Sequence, residues 1–258
     1  MKPWGLIFSL CFIVLFSVCA VLRAEDSSLK PEPDVKLESE VKPELEVAEN
    51  WKPFALDETL DDWSIPGFGG EGEVCVKDGE LIIGLGVAAT GIKYKKDFPK
   101  SNYEIRYEAK RTKGYDFFGA LTFPVGNSFC SFINGGWGGG VVGLSCIDGY
   151  DASENQTSQY YSFKSGKWYK FRVVVTDEKI MVWIGDEEKK PELKIDVDLK
   201  DKKINTRLES RPFEPLGLTT WCSEGIIKDF KYRELKPEDV EKIKQDEEKI
   251  KQESKKSS

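Results

Sequence analysis

The chain has 258 residues, a formal net charge of −7 and no histidine. An acidic balance disfavours a nucleic-acid partner, which needs basic surface to displace counterions from phosphate. The missing imidazole excludes Ser-His-Asp and Cys-His nucleophilic triads and removes the commonest metal ligand.

The chain opens MKPWGLIFSLCFIVLFSVCAVLRAED, where Lys2 is followed by an apolar run from Gly5 to Leu22 and by the small residue Ala24 before Glu25 and Asp26. This pattern predicts an export signal over Met1–Ala24, cut after Ala24 or Ala20, and so an exported protein in the periplasm, the cell envelope or the medium. Left uncut, the same run would serve as the only membrane anchor. Val18 before Cys19 is a poor lipid-attachment context. Loss of the signal removes Lys2 and Arg23, leaving 36 bases (38 − 2) against 45 acids and a net charge of −9. Residues Glu25–Asn50 are rich in Glu, Asp, Lys and Pro and read as a solvated linker.

From Trp51 to Leu235 the rhythm is that of strands. Tyr103, Ile105, Tyr107 and Ala109 alternate with Glu104, Arg106, Glu108 and Lys110, and Tyr169, Phe171, Val173 and Val175 repeat the pattern. Asp78-Gly79 between Glu73–Lys77 and Glu80–Gly84 is a strong hairpin signal. Further strands are predicted over Pro53–Leu56, Gly91–Tyr94, Phe117–Phe123, Lys179–Ile184, Leu193–Val197, Leu216–Trp221 and Gly225–Glu234. About a dozen short strands, with no convincing helix among them, predict an all-β domain: a two-sheet antiparallel jelly-roll sandwich. The tail from Pro237 to Ser258 predicts a charged single helix, with Val240, Ile243 and Ile250 as a thin apolar stripe.

The stretch SFCSFINGGWGGGVVGLSCIDGYD, Ser128–Asp151, is the candidate site. Asn134 and the glycines around Trp137 predict a turn between strands Ser128–Ile133 and Val141–Ile147, because each glycine disfavours a helix by about 1 kcal/mol. Trp137 would stand at one end of this pair and Asp148, Tyr150 and Asp151 at the other. Cys11 and Cys19 belong to the signal. Among the rest, Cys130 with Cys146 is the first disulfide expected, since the turn would set them on neighbouring strands, leaving Cys75 with Cys222; four buried thiols are the alternative. Without histidine, catalysis would fall to carboxylates, with Asp148, Asp151 and Glu154 within one loop and Glu209 and Arg211 in another. Calcium is the one cofactor such oxygen ligands suggest, although IDGYDASENQT lacks the spacing of a helix-loop-helix calcium site. Asn155-Gln156-Thr157 is a glycosylation acceptor pattern.

WKPFALDETLDDW, VKDGELIIGLG, YEIRYEAKR, GKWYKFRVVVTDEKIMVWIGD and GIIKDFKYREL, in this order and spacing, resemble the 3-keto-disaccharide hydrolase family of concanavalin A-like sandwiches. The resemblance covers nearly all of Trp51–Leu235. It implies an exported protein acting on glycosides already oxidised at carbon three, where proton abstraction beside the ketone expels the glycosidic oxygen. Carried onto this sequence, Asp148 becomes the base and Asp151 or Glu154 the acid or a metal ligand. Trp137 and Tyr150 would form a stacking platform, with Asn134, Arg211 and Glu209 as further substrate contacts. PLGLTTWCS departs from the family by placing Trp221 where such hydrolases often bear histidine. The alternative is a non-catalytic carbohydrate-binding or envelope structural module on the same sandwich.

Overall fold

The computed structural model describes residues 50–256, so the predicted signal and the linker up to residue 49 lie outside the described residues. In chain order the strands are β1 Lys52–Pro53, β2 Trp63–Ser64, β3 Val74–Lys77, β4 Glu80–Ile83 and β5 Ala89–Tyr94, then β6 Tyr103–Gly114, β7 Phe118–Val125, β8 Ser128–Gly135, β9 Val141–Ser145 and β10 Gln159–Tyr160. They continue as β11 Tyr169–Val175, β12 Lys179–Asp186, β13 Glu192–Asp198, β14 Gly217–Trp221 and β15 Ser223–Glu234. One antiparallel sheet runs β13-β12-β11-β6-β15-β4-β3 with β1 beside β15; the other runs β10-β9-β8-β7-β14-β5-β2.

The period-two patterning is what makes two sheets stack. On β6, Tyr103, Ile105, Tyr107 and Ala109 enter the common core, and on β11 Tyr169, Phe171, Val173 and Val175 do the same. From the facing sheet come Leu121, Phe123, Phe132, Leu144 and Leu218. A side chain of this size contributes about 1.5–3 kcal/mol when fully buried, so an unbroken core between two sheets dominates the stability. The Asp78-Gly79 hairpin forms as its sequence predicts: both residues have positive φ, 53° and 78°, and Lys77 faces Glu80. The two-residue strands β2 and β10 carry no periodicity and are not legible in the sequence.

The C-terminal helix, Pro237–Lys256, opens with Glu238 and Asp239 in its first turn, where acids complement the helix dipole. Its stripe is thin but used. Ile243 and Val240 pack with Leu235 against Val174, Met181 and Trp183 on the outer face of the larger sheet, and Lys244 pairs with Glu178 at 2.7 Å.

The disulfide expectation is corrected, because Cys75, Cys130, Cys146 and Cys222 are all free thiols. Cys130 and Cys146 do come from neighbouring strands. However, β9 ends at Ser145, and Cys146 leaves the ladder to exchange backbone hydrogen bonds with Asn205 at 2.5 and 3.2 Å. Cys130 stays in the core with its thiol 3.8 Å from the Ser145 carbonyl oxygen, while the Cys222 thiol donates to Val87 O at 3.4 Å. Burial pushes the Cys130 and Cys146 thiols above their ordinary pKa, which keeps them protonated and unreactive.

Candidate functional site: a tryptophan-lined groove

The glycine run turns the chain without forming a true helix. Trp137 and Gly138 take left-handed backbone angles, with φ of 49° and 86°. At Gly139, φ 106°, a Cβ would come within 2.7 Å of the Tyr115 carbonyl oxygen, so only glycine closes the turn there. Asp116 pins the turn from beneath, accepting the Gly138 N–H at 3.0 Å on one carboxylate oxygen and the Phe117 N–H at 2.9 Å on the other. The outcome is a fixed aromatic side chain, Trp137, 45% exposed.

Trp137 forms one wall of a depression of about 230 Å³ lined also by Asp116, Phe117, Ile133, Arg207, Glu209, Ser210 and Trp221. This groove lies on the face of the smaller sheet turned away from the core. Phe132 of β8 enters the core, whereas Ile133 beside it packs with Ala120, Ala152 and Phe117 on the opposite face. Trp221, at the end of β14, is partly exposed rather than core, and its ring centroid is 6.3 Å from that of Phe117. Small-molecule sites commonly span roughly 300–1,000 Å³, so this groove suits one ring of a longer ligand.

The polar wall is an ion-pair chain. Arg207 binds Glu209 at 3.2 Å and also Asp151, whose carboxylate further accepts the Ser145 hydroxyl at 2.5 Å and the Ala152 N–H at 2.7 Å. The backbone N–H of Glu209 and the Arg207 guanidinium hold the Glu209 carboxyl below the usual carboxylate range against the opposing effect of burial. The groove therefore offers aromatic faces, one cation and anionic oxygens.

The other sequence-derived candidates are dispersed. Asp148 is a turn residue, φ 55°, paired with Lys202 at 2.8 Å and accepting the Lys203 N–H at 2.9 Å; these two hold its carboxyl below the usual range, and it does not line the groove. Asp151 reaches the groove through Arg207, whereas Glu154, Tyr150 and Arg211 are exposed outside its lining. Asn134 is fully buried on the core side of β8, with neither amide atom paired, so it cannot touch a ligand in the groove. Asn155 is buried too, its amide donating to Leu144 O, Tyr150 O and Asp151 O at 2.7–3.1 Å and its oxygen accepting from Thr157. The acceptor pattern is thus a stitch in the fold, closed to glycan transfer. For calcium, Asp148 and Asp151 are already engaged by Lys202 and Arg207. Among the described residues no group of three or more carboxylates or thiols could hold a metal ion.

Asp116, Phe117, Ile133, Arg207, Ser210 and Trp221 were not singled out as a site from the sequence. The only advance signals were the loop around Glu209 and the unusual Trp221.

A family model described as a 3-keto-alpha-glucoside-1,2-lyase-like domain matches residues 50–224. No curated protein matches the sequence. Among solved structures, a candidate glycosyl hydrolase of Parabacteroides distasonis is 14% identical, covering 68% of this chain and 89% of its own at a TM-score of 0.41. A carbohydrate-binding module from Bacillus subtilis is 12% identical, covering 67% and 95% at 0.40. Peanut lectin, in complex with a nine-residue peptide, is 12% identical, covering 72% and 98% at 0.46.

Proposed function

Because this chain belongs to the 3-keto-alpha-glucoside-1,2-lyase-like family, we propose that its groove binds a glucoside oxidised at carbon three. The single observation that carries this reading is the presence of Trp137 and Trp221 in one depression with the Arg207–Glu209 pair. Indole faces stack on the apolar faces of a sugar ring, and the ion pair offers a donor and an acceptor to its oxygens. Arg207 is the group suited to a ketone oxygen. Titration of 3-keto-disaccharides into the protein tests this: Trp137→Ala and Trp221→Ala should each weaken binding about tenfold, as anchor residues do. Unchanged affinity in both would remove the groove from the reading.

Cleavage is the second reading, favoured by the family match and by the Glu209 carboxylate in the groove wall, the other lining carboxylate, Asp116, being taken up by the Gly138 and Phe117 N–H groups. Glu209, rather than Asp148, would take the proton from carbon two, beside the ketone. The C–H electron pair forms the new double bond to carbon one as the glycosidic C–O bond breaks, and the departing oxygen takes a proton from solvent. The Arg207 guanidinium would stabilise the charge developing on the ketone oxygen. Sugar release that Glu209→Gln abolishes while binding persists selects this chemistry; binding without release leaves a carbohydrate-binding module. In either case Met1–Ala24 would direct the protein out of the cytoplasm, which amino-terminal sequencing of the mature chain tests.

A further inference from the structure

We propose that the outer face of the larger sheet is a second binding surface, separate from the groove, that takes an anionic polysaccharide. The register places like charges directly opposite one another. Arg172 of β11 faces Arg106 of β6, and Arg106 faces Lys231 of β15. One row further along, Lys170 and Lys228 flank Glu108. Like charges at opposed positions destabilise a sheet, and here the buried Glu104 offsets the first row and Glu108 the second. With Lys110 and Arg233 added, β11, β6 and β15 carry seven cations on this face: Arg106, Arg172 and Arg233 are paired with Glu104, Lys170 and Lys228 with Glu108, and Lys110 and Lys231 lie against indole rings. These central strands are thus locally cationic on a chain whose net charge is −7.

The cations are also held in place. Lys110 and Lys228 lie 4.3 and 4.2 Å from the Trp168 ring centroid, Arg106 and Lys231 lie 4.6 and 5.3 Å from that of Trp51, and Arg172 is 4.2 Å from that of Trp183. Beneath them, Glu104 is fully buried and bonded to Arg106, Arg172 and Arg233 at 2.7 Å each. Strand spacing sets neighbouring positions about 4.8 Å apart across the sheet and about 7 Å apart along it, so these cations stand at fixed intervals around Glu104 and Glu108, as a repeating chain of charged sugars would need. None of the large exposed apolar side chains among the described residues belongs to these strands. A surface that enters a bilayer needs such side chains, so the chemistry favours a polysaccharide over a lipid headgroup layer.

The test uses the full chain with heparin, polygalacturonate, neutral dextran and phosphatidylserine vesicles as probes. The expected result is salt-sensitive binding to heparin or polygalacturonate and none to dextran. Lys110→Gln combined with Lys231→Gln removes two ammonium groups that contact indole rings and leaves the Glu104 cluster intact. This double variant, shown by circular dichroism to be folded, should bind about tenfold more weakly, with a shallower dependence of log affinity on log salt. Trp137→Ala should bind the polyanion as the parent does. Absence of binding at low salt, an unaltered double variant, weakening by Trp137→Ala, or binding to vesicles alone would each overturn the proposal.

Discussion

At the scale of single residues, the side chains that matter most are those whose polar atoms are taken out of water. Asn155 makes five hydrogen bonds from a buried position, tying the loop after β9 to the strand itself. Replacing it with alanine strands several carbonyls, and the unfolding free energy from urea titration should fall by about 2–3 kcal/mol. Glu104 is the second such residue. Burial alone would raise its pKa, but Arg172, Arg106 and Arg233 outweigh burial and hold it below the usual carboxylate range. The sign follows: with the folded pKa depressed, its contribution is complete above the unfolded value near 4.3 and is lost as pH falls through the folded one. Glu104→Gln should therefore cost about 3 kcal/mol at pH 7 and flatten the fall in stability below about pH 4.5, as read by denaturation across a pH series. A variant that kept the parent's acid slope would sink that account.

At the scale of elements, the C-terminal helix and the glycine turn show how local propensity and tertiary contact divide the work. The helix pattern is legible because acids lead and lysines follow, yet an isolated helix of this kind is marginal in water. What fixes it is the contact of Ile243 and Val240 with Met181 and Trp183. Ile243→Ala should lower stability by about 2 kcal/mol and loosen the helix, detectable as faster amide exchange from Val240 onward, while sugar binding in the groove stays unchanged. The turn from Gly135 to Gly140 is the reverse case. Its glycines announce a turn, but only the Asp116 carboxylate, distant in sequence from Gly138, aims Trp137 into the groove. Asp116→Ala should cost sugar affinity through a mobile Trp137, with a broadened tryptophan emission as the accompanying readout.

At the scale of the whole molecule, stability rests on the shared core of the two sheets and not on covalent cross-links, since all four described cysteines are free. The melting temperature should be the same with and without reductant, and alkylation of the denatured, unreduced protein should modify Cys75, Cys130, Cys146 and Cys222. The sequence by itself determined the sandwich, because period-two alternation on β6 and β11 and the Asp-Gly hairpin are local consequences of side-chain chemistry. It also determined the family, through the order of strand motifs, and the absence of imidazole chemistry. Only the tertiary structure decided the site. Trp221, Arg207 and Asp116 lie far from Trp137 along the chain and meet because strand register and loop closure bring their ends of the smaller sheet together. The same cause turned Asn134 inward and left Asp148 with Lys202 outside the groove: a one-residue step along a strand selects the face, and the loop that supplies the counter-charge comes from elsewhere in the fold.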